Sequence, residues 1–232
     1  MNRNLRISAA LVALFVIAIA IVAVAGGGGD DETPPAERTA ATTTTAPEAQ
    51  TSTTPTRVIT RDPRRLGDVG STGVTFTEFL DFECEACRAA FPAIEDLREK
   101  YAGRVTFNIR YFPIPSHQNS RNAAVAVEAA SKQGKLEEMY IRMYETQDEW
   151  GEQSDSKAAL FREFAQDLGL DLKRYDAAVA DPKTLERVQR DFSAGVELGV
   201  QGTPTFFIGE QRVEAQSIDD LRDAIDTAVR GT

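Results

Sequence analysis

Cysteine, histidine and tryptophan are scarce: the 232-residue chain holds two, one and one of them. A structural zinc centre needs four Cys, His or carboxylate ligands, so so small a supply argues against one, and no metal site is expected. Positive charge is also short, with 26 Lys and Arg against 36 Asp and Glu and a net charge of -10. That balance repels phosphate backbones and removes nucleic acid from the expected partners. Beyond residue 25 there is no long apolar run, and the mean hydropathy of -0.31 excludes a polytopic membrane protein. What is present suits a single globular domain with appendages, since 42% hydrophobic residues can fill one core.

The first appendage is the apolar stretch 7–25, preceded by Arg3 and Arg6 and followed by Asp30, Asp31 and Glu32. As a helix of about 19 residues it is roughly 28 Å long, enough to span a bilayer. The flanking charges place residues 1–6 in the cytoplasm and everything downstream outside. Ala23-Val24-Ala25 also reads as a signal-peptidase site. The run is longer than a usual signal core, which favours a retained single-pass anchor over secretion after cleavage near Ala25. No cysteine follows the run, which excludes a lipoprotein-type anchor. Residues 26–56 turn to Gly, Thr, Pro and Ala, with Pro34, Pro35, Pro47 and Pro55 breaking any period. This composition predicts a disordered linker reaching roughly 30 Å on average.

Residues 57–232 carry the periodic patterns of the folded domain. Val74 to Phe82 reads as a strand, Cys84 to Tyr101 as a helix and Val105 to Phe112 as a second strand. Strand, helix and strand at this spacing predict a βαβ unit with parallel strands. A helical block follows, with candidates at 119–133, 135–148, 156–168, 171–179 and 182–198, the inserted subdomain spanning about 117–198. Thr205 to Ile208 and Arg212 to Glu214 then form a hairpin around Gly209-Glu210, and Ser217 caps a last amphipathic helix. Trp150, Phe161, Phe164 and Phe192 fall at helical spacing and are expected in the core of the block.

Cys84-Glu85-Ala86-Cys87 sits where the first strand gives way to its helix. Cysteines three apart on a first helical turn can close a disulfide, and the helix N-terminus favours a thiolate on the first. Cys84 is therefore the expected nucleophile and Cys87 the resolving thiol. An inert staple is the weaker reading, because so short a loop removes little unfolded-state entropy. Gly202-Thr203-Pro204 stands directly before the later strand.

Taken together these features resemble the thioredoxin superfamily, and the flanking segments Phe79 to Cys84 and Gly199 to Phe207 resemble its DsbA-like exported disulfide oxidoreductases. The resemblance covers about residues 73–232. It implies an α/β thioredoxin-like fold with an inserted helical subdomain, and a cis peptide at Thr203-Pro204 that presents backbone groups to a bound peptide. It also implies that Glu78 is a buried carboxylate moving the proton of Cys87. Glu85-Ala86 replaces the Pro-His of well-known members, so Glu83 and Glu85 are expected to oppose the Cys84 thiolate and make the disulfide less oxidising. Glu85 and the loop histidine His117 are candidate tuning residues.

The expected activity is thiol-disulfide oxidation of exported cysteine-containing proteins outside the cytoplasm, with no cofactor beyond the Cys84-Cys87 disulfide. By the same resemblance, reoxidation falls to a quinone-linked membrane partner of the DsbB or vitamin K epoxide reductase type. The rival readings are a reductase or isomerase using the same cysteines, and a non-catalytic peptide-binding chaperone on the same fold.

Overall fold

The computed structural model describes residues 56–232. The expected anchor at 7–25 and the linker to residue 55 lie outside the described residues. Among those described, no helix is long and apolar enough to cross a membrane.

One sheet carries the domain. Its strands β1 (Arg64–Leu66), β2 (Thr75–Leu80), β3 (Thr106–Tyr111), β4 (Thr205–Ile208) and β5 (Gln211–Val213) lie in the order β1-β3-β2-β4-β5. β2 and β3 are parallel, from Thr75 opposite Thr106 to Leu80 opposite Tyr111, and helix α1 (Glu85–Lys100) joins them as the expected βαβ unit. The other three pairings are antiparallel. β1 is too short and too charged to show a period, so sequence patterning missed it. It is held from outside the sheet, where Arg64 grips Glu128 through two 2.6 Å hydrogen bonds.

Every residue of β2 is buried, as a central strand covered on both faces requires. Phe76 and Leu80 join the larger core with Cys87, Ile94 and Leu97 of α1. Phe79 points the other way, into a second core with Phe112, Val200 and Phe207. The two-residue period therefore sets Glu78 on the α1 face, the side that carries Cys87.

Between β3 and β4 stand α2 (Ser120–Ser131), α3 (Leu136–Glu145), α4 (Gln147–Trp150), α5 (Ala158–Asp167), α6 (Leu172–Ala180) and α7 (Pro182–Glu197), and α8 (Ile218–Arg230) closes the domain. Asp181 caps α7 by accepting from Lys183 N, with proline at the first helical position, and Ser217 with Asp220 forms a capping box on α8. The single helix expected over 135–148 is two, broken at Thr146 (φ -108°, ψ 5°). The break lets Gln147 turn inward and bond the backbone ahead of α1, so tertiary bonding overrides local propensity here.

Trp150, Phe161 and Phe164 fill the core of the block, with the Trp150 and Phe161 rings 4.9 Å apart and edge-on. Phe192 departs from that expectation. It is half-buried and stacks on Phe112 at 4.7 Å, on the sheet side of α7. Gly195 permits this close approach, because a Cβ there would lie 2.7 Å from Phe112 Cδ2 and 3.0 Å from Phe79 Cε1. Under the same helix Asp191 accepts from Arg110 at 2.8 Å and Arg187 at 2.7 Å, which compensates three buried charges together.

Candidate active site

The C-terminal end of β2 delivers Cys84 to the first position before α1. The backbone of Cys84 is extended (φ -73°, ψ 121°), so it is the N-cap residue and its sulfur meets the open end of the helix. Both cysteines are free thiols and buried, Cys87 more deeply than Cys84, while Glu85 and Ala86 between them are exposed.

The two sulfurs are driven apart in acidity. The Cys84 thiol is pulled down to about 5, first by a hydrogen bond from the Cys87 thiol, against the opposing effect of burial. The Thr203 side chain and the N–H groups of Cys87 and Ala86 add to the stabilisation of the anion. Burial pushes Cys87 well above the ordinary thiol value, and its hydrogen bond to Cys84 and the nearby Glu78 charge reinforce this. At neutral pH one sulfur is an anion and the other a thiol.

Thr203 and Pro204 lie directly across from Cys84. The Thr203-Pro204 peptide is cis, and as a thiol Cys84 donates to the Thr203 carbonyl at 3.3 Å. The Thr203 hydroxyl is buried with no other partner, a ready donor to the thiolate.

Glu78 sits on β2 beneath this pair, only 3% exposed. Burial raises its carboxyl to about 8, and the charges of Glu95 and Cys84 push the same way. It is a buried carboxylic acid that can hold a proton at neutral pH and that is felt at Cys87.

The expected opposition from Glu83 and Glu85 is corrected by the structure. Glu83 is buried and aims away into the helical block, where its carboxylate accepts from Asn119 N at 2.5 Å and Glu152 N at 3.1 Å. Backbone dipoles satisfy that charge locally. Glu85 is exposed, so water screens it, and neither acid figures among the causes of the Cys84 shift. The hydrogen bonds at the helix end outweigh the bare count of nearby charges.

Sequence reasoning left out three residues that hold the site. Gln147 Nε2 donates to Phe82 O at 2.6 Å and Cys84 O at 3.1 Å, which ties the helical block to the turn. The Tyr144 hydroxyl reaches Asp81 O at 3.4 Å. Both come from more than 60 positions away, so no local spacing signals them. The Asp81 carboxylate accepts from Glu83 N and Ile114 N, both at 2.9 Å. His117, the loop histidine named as a candidate tuning residue, meets that same carboxylate through Nδ1 at 2.7 Å.

Comparison with known proteins agrees with this geometry. Residues 62–227 match the sequence model of the family described as thioredoxin. The Na(+)/H(+) antiporter NhaA of Herminiimonas arsenicoxydans is 33% identical over 148 residues, which is 60% of this chain and 21% of the antiporter. The chain thus spans about a fifth of the length of the curated relatives it matches. Among solved structures, a thioredoxin-like oxidoreductase from Silicibacter pomeroyi superposes with a TM-score of 0.61 at 26% identity, covering 72% of this chain and 92% of that one. The thiol-disulfide exchange protein alpha-DsbA2 from Wolbachia pipientis shares the fold, with a TM-score of 0.59, 24% identity, and coverage of 71% and 86%.

Proposed function

The chain belongs to the thioredoxin family, and from that premise we propose that it is a DsbA-like thiol-disulfide oxidoreductase that runs as an oxidase, donating the Cys84-Cys87 disulfide to exported proteins outside the cytoplasm. The observation that carries the direction is the split between the two sulfurs. A dithiol whose outer sulfur is held as an anion is a stabilised reduced form, and a stabilised reduced form makes an oxidising disulfide.

The steps follow from the same split. A substrate thiolate attacks Cys84 Sγ, the more accessible sulfur; the Cys84-Cys87 bond breaks and Cys87 departs. A thiol with so high a pKa is a poor leaving group as an anion. Glu78, a carboxylic acid at this pH, supplies the proton that Cys87 takes up. A second substrate thiolate then attacks the substrate sulfur of the mixed disulfide and Cys84 leaves as a stable thiolate. Cys87, held as a thiol, is slow to reverse the first step. The substrate loses two electrons and two protons and the chain gains the electrons.

Return to the disulfide requires an acceptor of two electrons, proposed as a quinone-linked membrane protein of the DsbB or vitamin K epoxide reductase type. An anchor at 7–25 and the linker behind it would keep the domain within reach of that partner. The reductase or isomerase alternative was motivated by Glu85, and the exposure of that side chain weakens the motive. A peptide-binding chaperone would have no use for opposed acidities on two adjacent thiols.

Equilibration of the full chain in detergent against glutathione tests the direction. A potential between about -120 and -180 mV is expected, the range of known oxidants and isomerases. A value near about -270 mV, that of thioredoxin, would make the chain a reductase.

A further inference from the structure

Asp81 links the dithiol to the far side of the β2 terminus. Its side chain is fully buried, and its oxygens take the backbone N–H of Glu83 and of Ile114. Its own carbonyl accepts from Cys84 N at 3.2 Å, and the Cys87 sulfur is hydrogen-bonded to its backbone. The Asp81 backbone thus touches both members of the dithiol. The remaining partner of the carboxylate is His117, 2.7 Å away. An ionised carboxylate only accepts, so Nδ1 carries the proton of that bond.

His117 is 29% exposed and opens on a cleft of about 520 Å³ between the β3–α2 loop, α2 and α7. α7 turns only uncharged side chains to that cleft, among them Val188, Gln189 and Phe192, and α2 adds Arg121 at its rim. Among the described residues no other side chain hydrogen-bonds the Asp81 carboxylate. One donor at the end of a loop thus completes the support of a turn that carries the redox pair.

We propose that His117 and Asp81 are a positioning pair for the dithiol: the imidazole N–H holds the Asp81 carboxylate in place, and the carboxylate in turn fixes where Cys84 and Cys87 sit. Burial works against ionisation of Asp81, which is pushed up to about 6 although Ile114, Glu83 and His117 all pull it down. Without the imidazole the carboxyl moves toward protonation at neutral pH. A protonated carboxyl accepts less well from two N–H groups, so the turn relaxes. The contact that relaxes with it is the Cys87 hydrogen bond, the largest support of the Cys84 thiolate. The reduced form loses stabilisation and the disulfide becomes less oxidising.

The inference rests on Cys84 and Cys87 being a redox pair, and one titration separates the two. His117→Ala in the full chain should shift the glutathione equilibrium about tenfold toward the disulfide, or about 30 mV. His117→Asn places a neutral N–H near the position of Nδ1 and should return the equilibrium to within about twofold of the original. A general loss of packing would not be repaired by that substitution. An alanine variant poised like the original chain, or an asparagine variant displaced as far as alanine, would overturn the pair. An original chain that formed no Cys84-Cys87 disulfide at any glutathione ratio would overturn both readings.

Discussion

Replacing Cys84 by serine is expected to abolish disulfide exchange, while replacing Cys87 by serine is expected to leave the attacking sulfur active and to accumulate mixed disulfides. The asymmetry comes from the acidities. With its pKa near 5, about one Cys84 in a hundred is protonated at pH 7, whereas an ordinary thiol near 8.5 is ionised in about one chain in thirty. Cys84 thus exchanges about thirty times more of its population as the reactive species. Cys87 is the group that clears unproductive mixed disulfides by attacking Cys84, so its removal leaves them waiting for a second substrate thiol. Non-reducing electrophoresis of the Cys87→Ser chain after incubation with an oxidised thiol reagent and a cysteine-containing protein should show a cross-linked species that dithiothreitol releases. Equal trapping by Cys84→Ser would mean that the inner sulfur is the one attacked, against the order of burial and acidity seen here.

Glu78→Gln is expected to slow the first exchange step by about a hundredfold, within the range of a positioned proton donor. The amide keeps the shape but can neither give nor take a proton. In the original chain the step should also fall off as pH rises and Glu78 loses its proton, and this limb should vanish in the variant. Stability also falls as pH rises. Burial raises the Glu78 carboxyl from 4.5 to about 8, so the folded state binds its proton more tightly than the unfolded state. That stabilisation is complete below about pH 4.5 and is lost as pH rises through about 8, a difference of roughly 5 kcal/mol. The oxidised chain removes the Cys84 titration, and with it the Cys84 charge, so that burial and the Glu95 charge alone raise Glu78 there. Urea unfolding of the oxidised chain should give a midpoint that declines from pH 5 to 8, and Glu78→Gln should be the more stable chain at pH 8. An unchanged rate together with an unchanged pH slope would remove Glu78 from the mechanism.

How far the sequence could be read follows from the kind of signal each element carries. β2, α1 and β3 were legible because their apolar periods are strong and their order leaves little choice of topology. The Ser217 cap was legible because a capping side chain acts on its own neighbours. β1 was not, since three residues held by Arg64 and Glu128 have no period of their own. At the site, the Cys84-Cys87 spacing announced the chemistry, but its electrostatics were misread from charge count alone. Glu83 lies next to Cys84 in sequence and yet spends its charge on Asn119 and Glu152, a direction of aim that only the fold decides. Gln147 and His117 reach the turn and its Asp81 from two separate segments, so their cooperation has no linear signature.

The central claim is that the fold makes a thiolate of Cys84 and a thiol of Cys87, and the most direct test is the pH dependence of thiolate absorbance in the reduced full chain, with Cys87→Ala alongside. A midpoint near 5 for the original chain is predicted, moved upward in the alanine variant because the strongest hydrogen bond to the anion is gone. A midpoint near about 8.5, the value of an unperturbed cysteine, would contradict the account.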